Sequence, residues 1–143
     1  MKVLVIHGPS LDLLGTREPE IYGDETLDEV NKRIEEEARS LGLETVIHQT
    51  GREGEFVELL AASVGDVDAA ILNPAAYSHT SRAIAEAIRA VPYPVVEVHL
   101  SNIHAREEWR RTSLTAEASV GVIAGLGARG YLLALKWVRE AKD

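Results

Sequence analysis

The sequence predicts an α/β fold: a single five-stranded parallel sheet with helices on both faces, in the flavodoxin-like, doubly wound order. Short, continuously apolar runs alternate with amphipathic segments along the whole chain. Such runs are typical of strands buried on both faces, and right-handed crossovers favour the doubly wound orders. No internal repeat or low-complexity stretch interrupts the sequence, so we expect one domain over residues 1–143.

Five apolar runs are the predicted strands, at residues 2–6, 43–48, 69–72, 95–98 and 119–124. Apolar residues at helical spacing predict four helices, at residues 27–41, 56–64, 78–91 and 131–141. Thr26 and Glu29 form a capping box before the first helix, and Gly42 ends it. The stretch 8–25 is longer than the usual connection of about 2–6 residues, so we expect a lid at residues 15–25.

Composition excludes several classes of function. The chain has no cysteine, which rules out disulfides, thiolate catalysis and cysteine-ligated metals. A formal net charge of −8 argues against general nucleic-acid binding, although local arginines still allow a small anionic substrate. No apolar stretch reaches membrane-spanning length, and the first apolar run is too short for a signal peptide. We therefore expect a cytoplasmic protein that does not associate with membranes.

Polar side chains follow three of the predicted strands. Residues 7–10 follow the first strand, Asn73 follows the third, and residues 97–101 follow the fourth. The carboxyl ends of parallel strands lie at one rim, where open α/β sheets bind ligands, so we expect these groups to surround one crevice. The segment 97–111 alone would also suit a solvated loop, since charge runs usually stay in water. Convergence of three strand ends on one crevice favours a functional site.

Several chemistries are disfavoured by what this rim lacks. It has no acidic residue after the first strand, as receiver domains need, no glycine fingerprint for nucleotides and no G-x-S-x-G nucleophile. None of the four lysines is predicted at the rim, which disfavours imine chemistry. Glu97, His99 and His104, with or without His79, match no common zinc spacing, so we expect no metal. His48 ends the second strand and is interpreted as structural.

The chemistry that remains possible at this rim is proton transfer by tyrosine and histidine, assisted by arginine. A phenol in water ionises only near pH ~10, so Tyr22 needs a nearby cation to act as a base at neutral pH. Arg17 on the same stretch can supply that cation, and the arginines at 110–111 can add to it. Glu97 alternates with His99 at a strand end, so the carboxylate can orient the imidazole as a general acid. A base and a separate acid in one crevice are typical of an elimination.

Three segments carry a resemblance to a known family: GTREPEIYG at 15–23, NPAAYSHTS at 73–81 and EVHLSNIHARE at 97–107. The chain resembles the type II 3-dehydroquinate dehydratases over essentially its whole length, and the three motifs occur in the family's order. The resemblance implies dehydration of 3-dehydroquinate to 3-dehydroshikimate in the shikimate pathway, without an imine, a metal or another cofactor.

The resemblance also implies catalytic roles. Tyr22 would remove the C2 proton of the substrate to form an enolate, with Arg17 stabilising the phenolate. His99, oriented by Glu97, would protonate the departing C1 hydroxyl. Ser10 stands where the family has an asparagine associated with a water that stabilises the enolate, and its hydroxyl would take that role.

Substrate binding and assembly are implied in the same way. The resemblance assigns substrate binding to the side chains of Asn73, His79 and Arg110 and to the backbone amides of Leu100 and Ser101. The family assembles trimers into dodecamers, and Glu86 holds the position of an aspartate that reaches a neighbouring subunit's site. We therefore expect a homo-oligomer with shared sites, acting on a small molecule.

Two departures from the family pattern keep another interpretation open. The family's first motif reads Asn-Gly-Pro-Asn, whereas this chain has His7, Gly8, Pro9 and Ser10. Glu86 is one methylene longer than the family's aspartate. The alternatives are a flavodoxin-like module that binds a small ligand without catalysis, which Ser10 supports best, and another lysine-free lyase acting on a cyclic acid. Neither departure removes the acid or the base, so dehydration is the predicted activity.

Overall fold

The computed structural model describes residues 1–141, in which five parallel strands form one sheet in the order β2-β1-β3-β4-β5. The strands are β1 (Lys2–His7), β2 (Glu44–Gln49), β3 (Ala69–Asn73), β4 (Val95–His99) and β5 (Gly121–Ala124). This order confirms the predicted flavodoxin-like fold, and every predicted strand lies within two residues of its observed bounds. Residues 142–143 of the expected domain lie outside the described residues.

Six α-helices connect the strands in the described part of the chain. They are α1 (Pro19–Tyr22), α2 (Leu27–Ser40), α3 (Glu53–Ala62), α4 (Arg82–Ala90), α5 (Leu114–Ala118) and α6 (Arg129–Ala141). The sequence predicted the four longer helices but not α1 and α5, which have four and five residues and are too short to show a helical period. No helix within residues 1–141 has the length and apolar character needed to cross a membrane.

The sheet separates two apolar cores, because successive side chains of a strand point to opposite faces. α2 and α6 cover one face, where the buried side chains include Val3, Val5, Ile34, Ile71, Val98 and Leu135. α3 and α4 cover the other face, where they include Leu4, Ile6, Phe56, Leu60, Leu72 and Ile84. Full burial of each such side chain contributes roughly 1.5–3 kcal/mol. By the same alternation, His7 and Asn73 end on the first face, and Glu97 and His99 end on the second.

The helix predicted at 78–91 begins later than its apolar period suggests. α4 starts only after Ser81, whose hydroxyl accepts a hydrogen bond from a backbone amide of the first turn at 2.9 Å. The preceding residues form a 3₁₀ turn, Ala75–His79, which opens with a positive φ of 53° at Ala75. This turn keeps His79 near the end of β3 instead of carrying it along the helix.

β5 is an exposed edge of the sheet, whereas the sequence predicted a strand covered on both faces. Val120 and Val122 are 59% and 43% exposed. Trp137 of α6 borders the same surface and is 42% exposed. An edge strand pairs with the sheet on one side only, so its outer side faces solvent or another molecule.

Candidate active site

A cleft opens at the carboxyl ends of β1, β3 and β4, at the rim where the sequence predicted a site. The space between its walls, counted together with its open mouth, is about 600 Å³. Nine of the eleven residues predicted for the site line this cleft: Ser10, Arg17, Tyr22, Asn73, His79, His99, Leu100, Ser101 and Arg110. Glu97 lies behind His99, and Glu86 lies outside the cleft.

A glycine allows two of the strand ends to meet closely. The amide of Gly8 donates to the carbonyl of Asn73 at 2.8 Å, and a Cβ atom on Gly8 would lie only 2.6 Å from the carbonyl oxygen of Pro74. Any side chain would therefore force the two segments apart. Ser10 follows in the left-handed region, with a φ of 68°. This conformation is uncommon for serine, and asparagine adopts it more readily.

Tyr22 lies beside two arginines. Nη1 of Arg106 donates to the Tyr22 hydroxyl at 2.8 Å and to the Ser101 hydroxyl at 3.2 Å. The guanidinium carbons of Arg17 and Arg106 lie 5.0 Å and 5.1 Å from the centre of the Tyr22 ring. Two positive charges therefore lie beside the Tyr22 side chain. Sequence reasoning placed Arg17 here, with help from residues 110–111, and missed Arg106, which makes the direct hydrogen bond.

The Glu97 carboxylate is fully buried, at 0% exposure. Its Oε2 accepts hydrogen bonds of 2.7 Å from Nε2 of His99 and from the hydroxyl of Ser113, and its Oε1 accepts one from the hydroxyl of Thr115. A buried charge is tolerated when it is paired and hydrogen-bonded, and three donors meet that need here. Because Nε2 of His99 donates to Glu97, Nδ1 is the nitrogen left to exchange a proton in the cleft.

His79 lines the cleft near His99. Its Nδ1 donates to the carbonyl of Thr112 at 2.8 Å, so Nε2 is the nitrogen left for a ligand. Its ring centre lies 6.3 Å from that of His99 and 5.2 Å from that of Trp109. Partial burial lowers the pKa of His79 below its usual value. A neutral imidazole of this tautomer offers Nε2 as an acceptor to a ligand hydroxyl.

Arg110 reaches the cleft from the chain that follows β4. Its Nε donates to Glu107 at 2.6 Å, and its guanidinium carbon lies 4.2 Å from the centre of the Trp109 ring. These contacts hold the planar group at the cleft wall, where it can bind a ligand carboxylate through two parallel hydrogen bonds. Arg111 is exposed and does not line the cleft.

A second buried network lies on the α2 and α6 face of the sheet. Nδ2 of Asn73 donates to the Tyr131 hydroxyl at 3.2 Å, and Oδ1 of Asn73 accepts from the amide of Ala75 at 3.1 Å. Nδ1 of His7 lies 3.0 Å from the same hydroxyl, and its Nε2 lies 2.8 Å from Oδ1 of Asn31. Burial lowers the pKa of His7 to about 4, so this imidazole is neutral at pH 7. Burial likewise raises the pKa of the Tyr131 phenol.

Other residues weighed from the sequence lie apart from this chemistry. The described residues contain no group of three or more histidine, aspartate or glutamate side chains placed to hold a metal ion. His104 is exposed, and His48 lies on β2, outside the cleft. No lysine within residues 1–141 lines the cleft, and Lys2 pairs with Asp66 at the start of the sheet. Lys142 lies outside the described residues.

Comparison with known proteins identifies the family. The family model described as "Dehydroquinase class II" matches residues 1–139. The chain belongs to the class II dehydroquinases. It is 52% identical to the 3-dehydroquinate dehydratase of Geotalea daltonii, over 95% of this chain and 94% of that protein. It also resembles the crystal structure of type II dehydroquinase from Butyrivibrio crossotus, with a TM-score of 0.95, 37% identity, and coverage of 96% of this chain and 97% of that one.

Among the residues of this class II dehydroquinase that contact predicted site residues, sequence reasoning missed Arg106, Ser113, Thr115 and Tyr131. Three arginines follow β4, and their spacing does not tell which one returns to Tyr22. Ser113 also caps α5 by accepting from the amide of Ala116 at 3.0 Å. A serine before a short apolar segment is a helix-capping signal, which could have located α5 but not its bond to Glu97.

Glu86 has no place in the cleft of a single class II dehydroquinase chain. It lies on α4 with its side chain 75% exposed, paired with Arg89 at 3.0 Å. It borders a separate surface hollow together with Leu114 and Glu117. Any contact of Glu86 with a substrate therefore requires a second chain.

The left-handed backbone of Ser10 generates a stability prediction. We expect Ser10→Asn to keep or raise the melting temperature, because asparagine tolerates this conformation better than serine. Ser10→Val should cost about 1–3 kcal/mol, since a β-branched residue is strained at positive φ. Thermal unfolding followed by circular dichroism measures both changes. Ser119→Val is the control for a β-branched residue at negative φ, because Ser119 has a φ of −88°; it loses only the hydrogen bond from its hydroxyl to the carbonyl of Thr115 and should cost less than Ser10→Val. Equal melting temperatures for Ser10→Val and the unchanged chain would contradict the prediction.

Proposed function

We propose that this chain catalyses the dehydration of 3-dehydroquinate to 3-dehydroshikimate, a step of the shikimate pathway. Membership of the class II dehydroquinase family and relatives named 3-dehydroquinate dehydratase support this hydro-lyase activity. The observation that carries the mechanism is a cleft lined by Tyr22, beside two guanidinium groups, and by His99, held by a buried carboxylate. In this mechanism every proton moves between the substrate and a side chain, and no step uses a metal or another cofactor.

Tyr22 is the proposed base. As a phenolate it takes a proton from C2 of the substrate, and the electrons of the broken C–H bond form the enolate of the neighbouring ketone. Arg106 donates to the phenol oxygen at 2.8 Å, and Arg17 lies 5.0 Å from the ring centre. Both guanidinium groups favour the negative form of Tyr22, so we assign the stabilisation of the phenolate to Arg17 and Arg106 together.

His99 is the proposed acid. Its Nδ1 gives a proton to the C1 hydroxyl as the C1–O bond breaks, the enolate electrons form the C1–C2 double bond, and water leaves. The Glu97 carboxylate stabilises the imidazolium before the transfer and fixes the ring through Nε2. Tyr22 ends the reaction protonated and His99 ends it neutral, so exchange with solvent restores both groups.

Substrate binding is proposed for the remaining residues of the cleft, namely Asn73, His79, Arg110 and the backbone amides of Leu100 and Ser101. Arg110 and the two amides would hold the carboxylate, because planar guanidinium groups and amides suit its oxygens. Asn73 and His79 would bind hydroxyls. Ser10 would hold the water that stabilises the enolate, because it lines the same cleft.

A lid and a cytoplasmic location complete the proposal. None of the residues of α1 is buried, and the segment 15–25 is held in part by the hydrogen bond from Arg106 to Tyr22 and by the ion pair of Glu25 with Arg33. A segment with few buried apolar contacts opens at low cost, and we propose that it opens for the substrate and closes over it. Soluble metabolites of a biosynthetic pathway suit an enzyme of the cytoplasm.

The reaction itself is tested by adding 3-dehydroquinate and following the ultraviolet absorbance of the conjugated enone product. We expect turnover, and we expect it to survive borohydride treatment in the presence of substrate, because no lysine within residues 1–141 lines the cleft. Mass spectrometry checks for an adduct. A substrate-sized mass on a lysine would replace the mechanism with imine chemistry, and binding without turnover would support the binding-module alternative.

Tyr22→Phe should lower kcat by about 10²–10⁴-fold, the usual contribution of a general base. Arg106→Ala should also lower kcat strongly. Arg106→Lys should rescue it poorly, because lysine lacks the planar guanidinium that lies 5.1 Å from the centre of the Tyr22 ring while its Nη1 bonds both Tyr22 and Ser101. Arg111→Ala is the matched control, since Arg111 is exposed and does not line the cleft. A loss of less than tenfold in Tyr22→Phe would place the base elsewhere.

We also propose a homo-oligomer of trimers, assembled to a dodecamer, in which Glu86 reaches a neighbour's cleft. The exposed apolar edge at Val120, Val122 and Trp137 supports association, because apolar edges of this kind are commonly covered by another chain. Glu86→Ala should raise KM several-fold while kcat changes little. Arg89→Ala is its control, because it breaks the same ion pair but keeps the carboxylate. A fully active monomer by light scattering at micromolar concentration would refute the shared site.

A further inference from the structure

The donor and the acceptor of each hydrogen bond in the network of Asn73, Tyr131 and His7 follow from one group that can only donate and one that can only accept. The backbone amide of Ala75 can only donate, so the Asn73 atom that it meets at 3.1 Å is Oδ1. Nδ2 of Asn73 then donates to the Tyr131 hydroxyl at 3.2 Å. At the other end, Oδ1 of Asn31 can only accept, so Nε2 of His7, 2.8 Å away, donates to it. Because His7 is neutral, its Nδ1 then accepts the hydrogen of the Tyr131 hydroxyl, 3.0 Å away. All the hydrogen bonds therefore run in one direction.

Only a neutral imidazole completes this order, because Nδ1 must accept while Nε2 donates. His7 and Tyr131 are 0% and 1% exposed, so water does not compete for their polar atoms. Their rings also meet edge-on, with centres 5.2 Å apart. A buried network in which every group has its partner specifies one arrangement of its members.

We propose that His7 is a positioning residue that holds the amide of Asn73 in one orientation through Tyr131. This inference rests on the proposed substrate-binding role of Asn73. With Nδ2 towards Tyr131 and Oδ1 towards Ala75, the amide keeps one N–H hydrogen and one lone pair for a ligand in the cleft. Turning the amide over would exchange that donor and acceptor and set its NH₂ group against the Ala75 amide.

Three variants test the individual hydrogen bonds that connect Asn73, Tyr131 and His7. Tyr131→Phe removes the single oxygen in the middle, and His7→Leu removes both nitrogens. His7→Asn keeps an acceptor, because an asparagine Oδ1 is as many bonds from Cα as the histidine Nδ1. We expect the first two to raise KM about 3- to 10-fold with kcat within about twofold, as for one lost hydrogen bond that orients the ground state. His7→Asn should stay near the original KM.

Two further variants make the result decisive. Asn73→Ala measures what Asn73 itself contributes, and Val138→Ala on α6, in the same core, should lower the melting temperature with KM unchanged. An unchanged KM in Asn73→Ala would remove the substrate role of Asn73 and the inference with it. A raised KM in Asn73→Ala with unchanged values in Tyr131→Phe and His7→Leu would overturn the inference alone, as would a His7→Asn variant no better than His7→Leu.

Nitrogen NMR of the labelled protein without substrate tests the hydrogen order independently of activity. At pH 7 we expect His7 as the neutral tautomer with a proton on Nε2 and a hydrogen-bonded, unprotonated Nδ1. Tyr131→Phe should shift the Nδ1 resonance, because it removes the hydroxyl that donates to this atom. A proton on Nδ1, or a charged imidazole, would overturn the proposed order.

Discussion

The buried carboxylate of Glu97 holds together the side of the cleft that carries His99. Transfer of the Glu97 charge from water to the interior would be prohibitive without partners, and removing one partner from such a group destabilises a protein strongly. Those partners are His99, at the end of β4, and Ser113 and Thr115, at the start of α5. The hydrogen bonds that this carboxylate requires therefore fix three things together: the start of α5, the end of β4 and the orientation of the His99 ring.

The pleat of the sheet brings a second network to the same cleft from the opposite face. His7 and Asn73 are paired in register at the ends of β1 and β3, on the face of α2 and α6. Glu97 and His99 end β4 on the other face, towards α4 and α5. If either strand shifted by one residue relative to its neighbour, its side chains would turn to the opposite face of the sheet. The two networks thus meet at the rim because the parallel register sets both of them.

Sequence reasoning reached the sheet and the rim but not all the contacts within the site. The strand ends at Asn73 and His99 followed from local apolar runs and from the general position of ligands in such sheets. The bond between Arg106 and Tyr22 joins residues 84 positions apart, and no local pattern selects one arginine among several. The exposure of β5 was missed for a related reason. A run of apolar residues looks the same in the sequence whether helices cover the strand or, as at Val122, its side chains face outward.

The proposed acid and the proposed base are held in place by different kinds of contact. His99 is fixed by a buried strand end and a buried carboxylate, whereas Tyr22 sits on a helix with no buried residue. The hydrogen bond from Arg106 helps to hold that helix at the cleft, and in the proposed mechanism the same cation stabilises the phenolate. The Arg106 guanidinium is charged whether or not the phenol is ionised, so its hydrogen bond to Tyr22 is charge-assisted in both forms. A phenolate would add the attraction between two opposite charges to this bond. In the proposed mechanism, the form of Tyr22 that acts as the base is therefore also the form that its segment holds most firmly at the cleft.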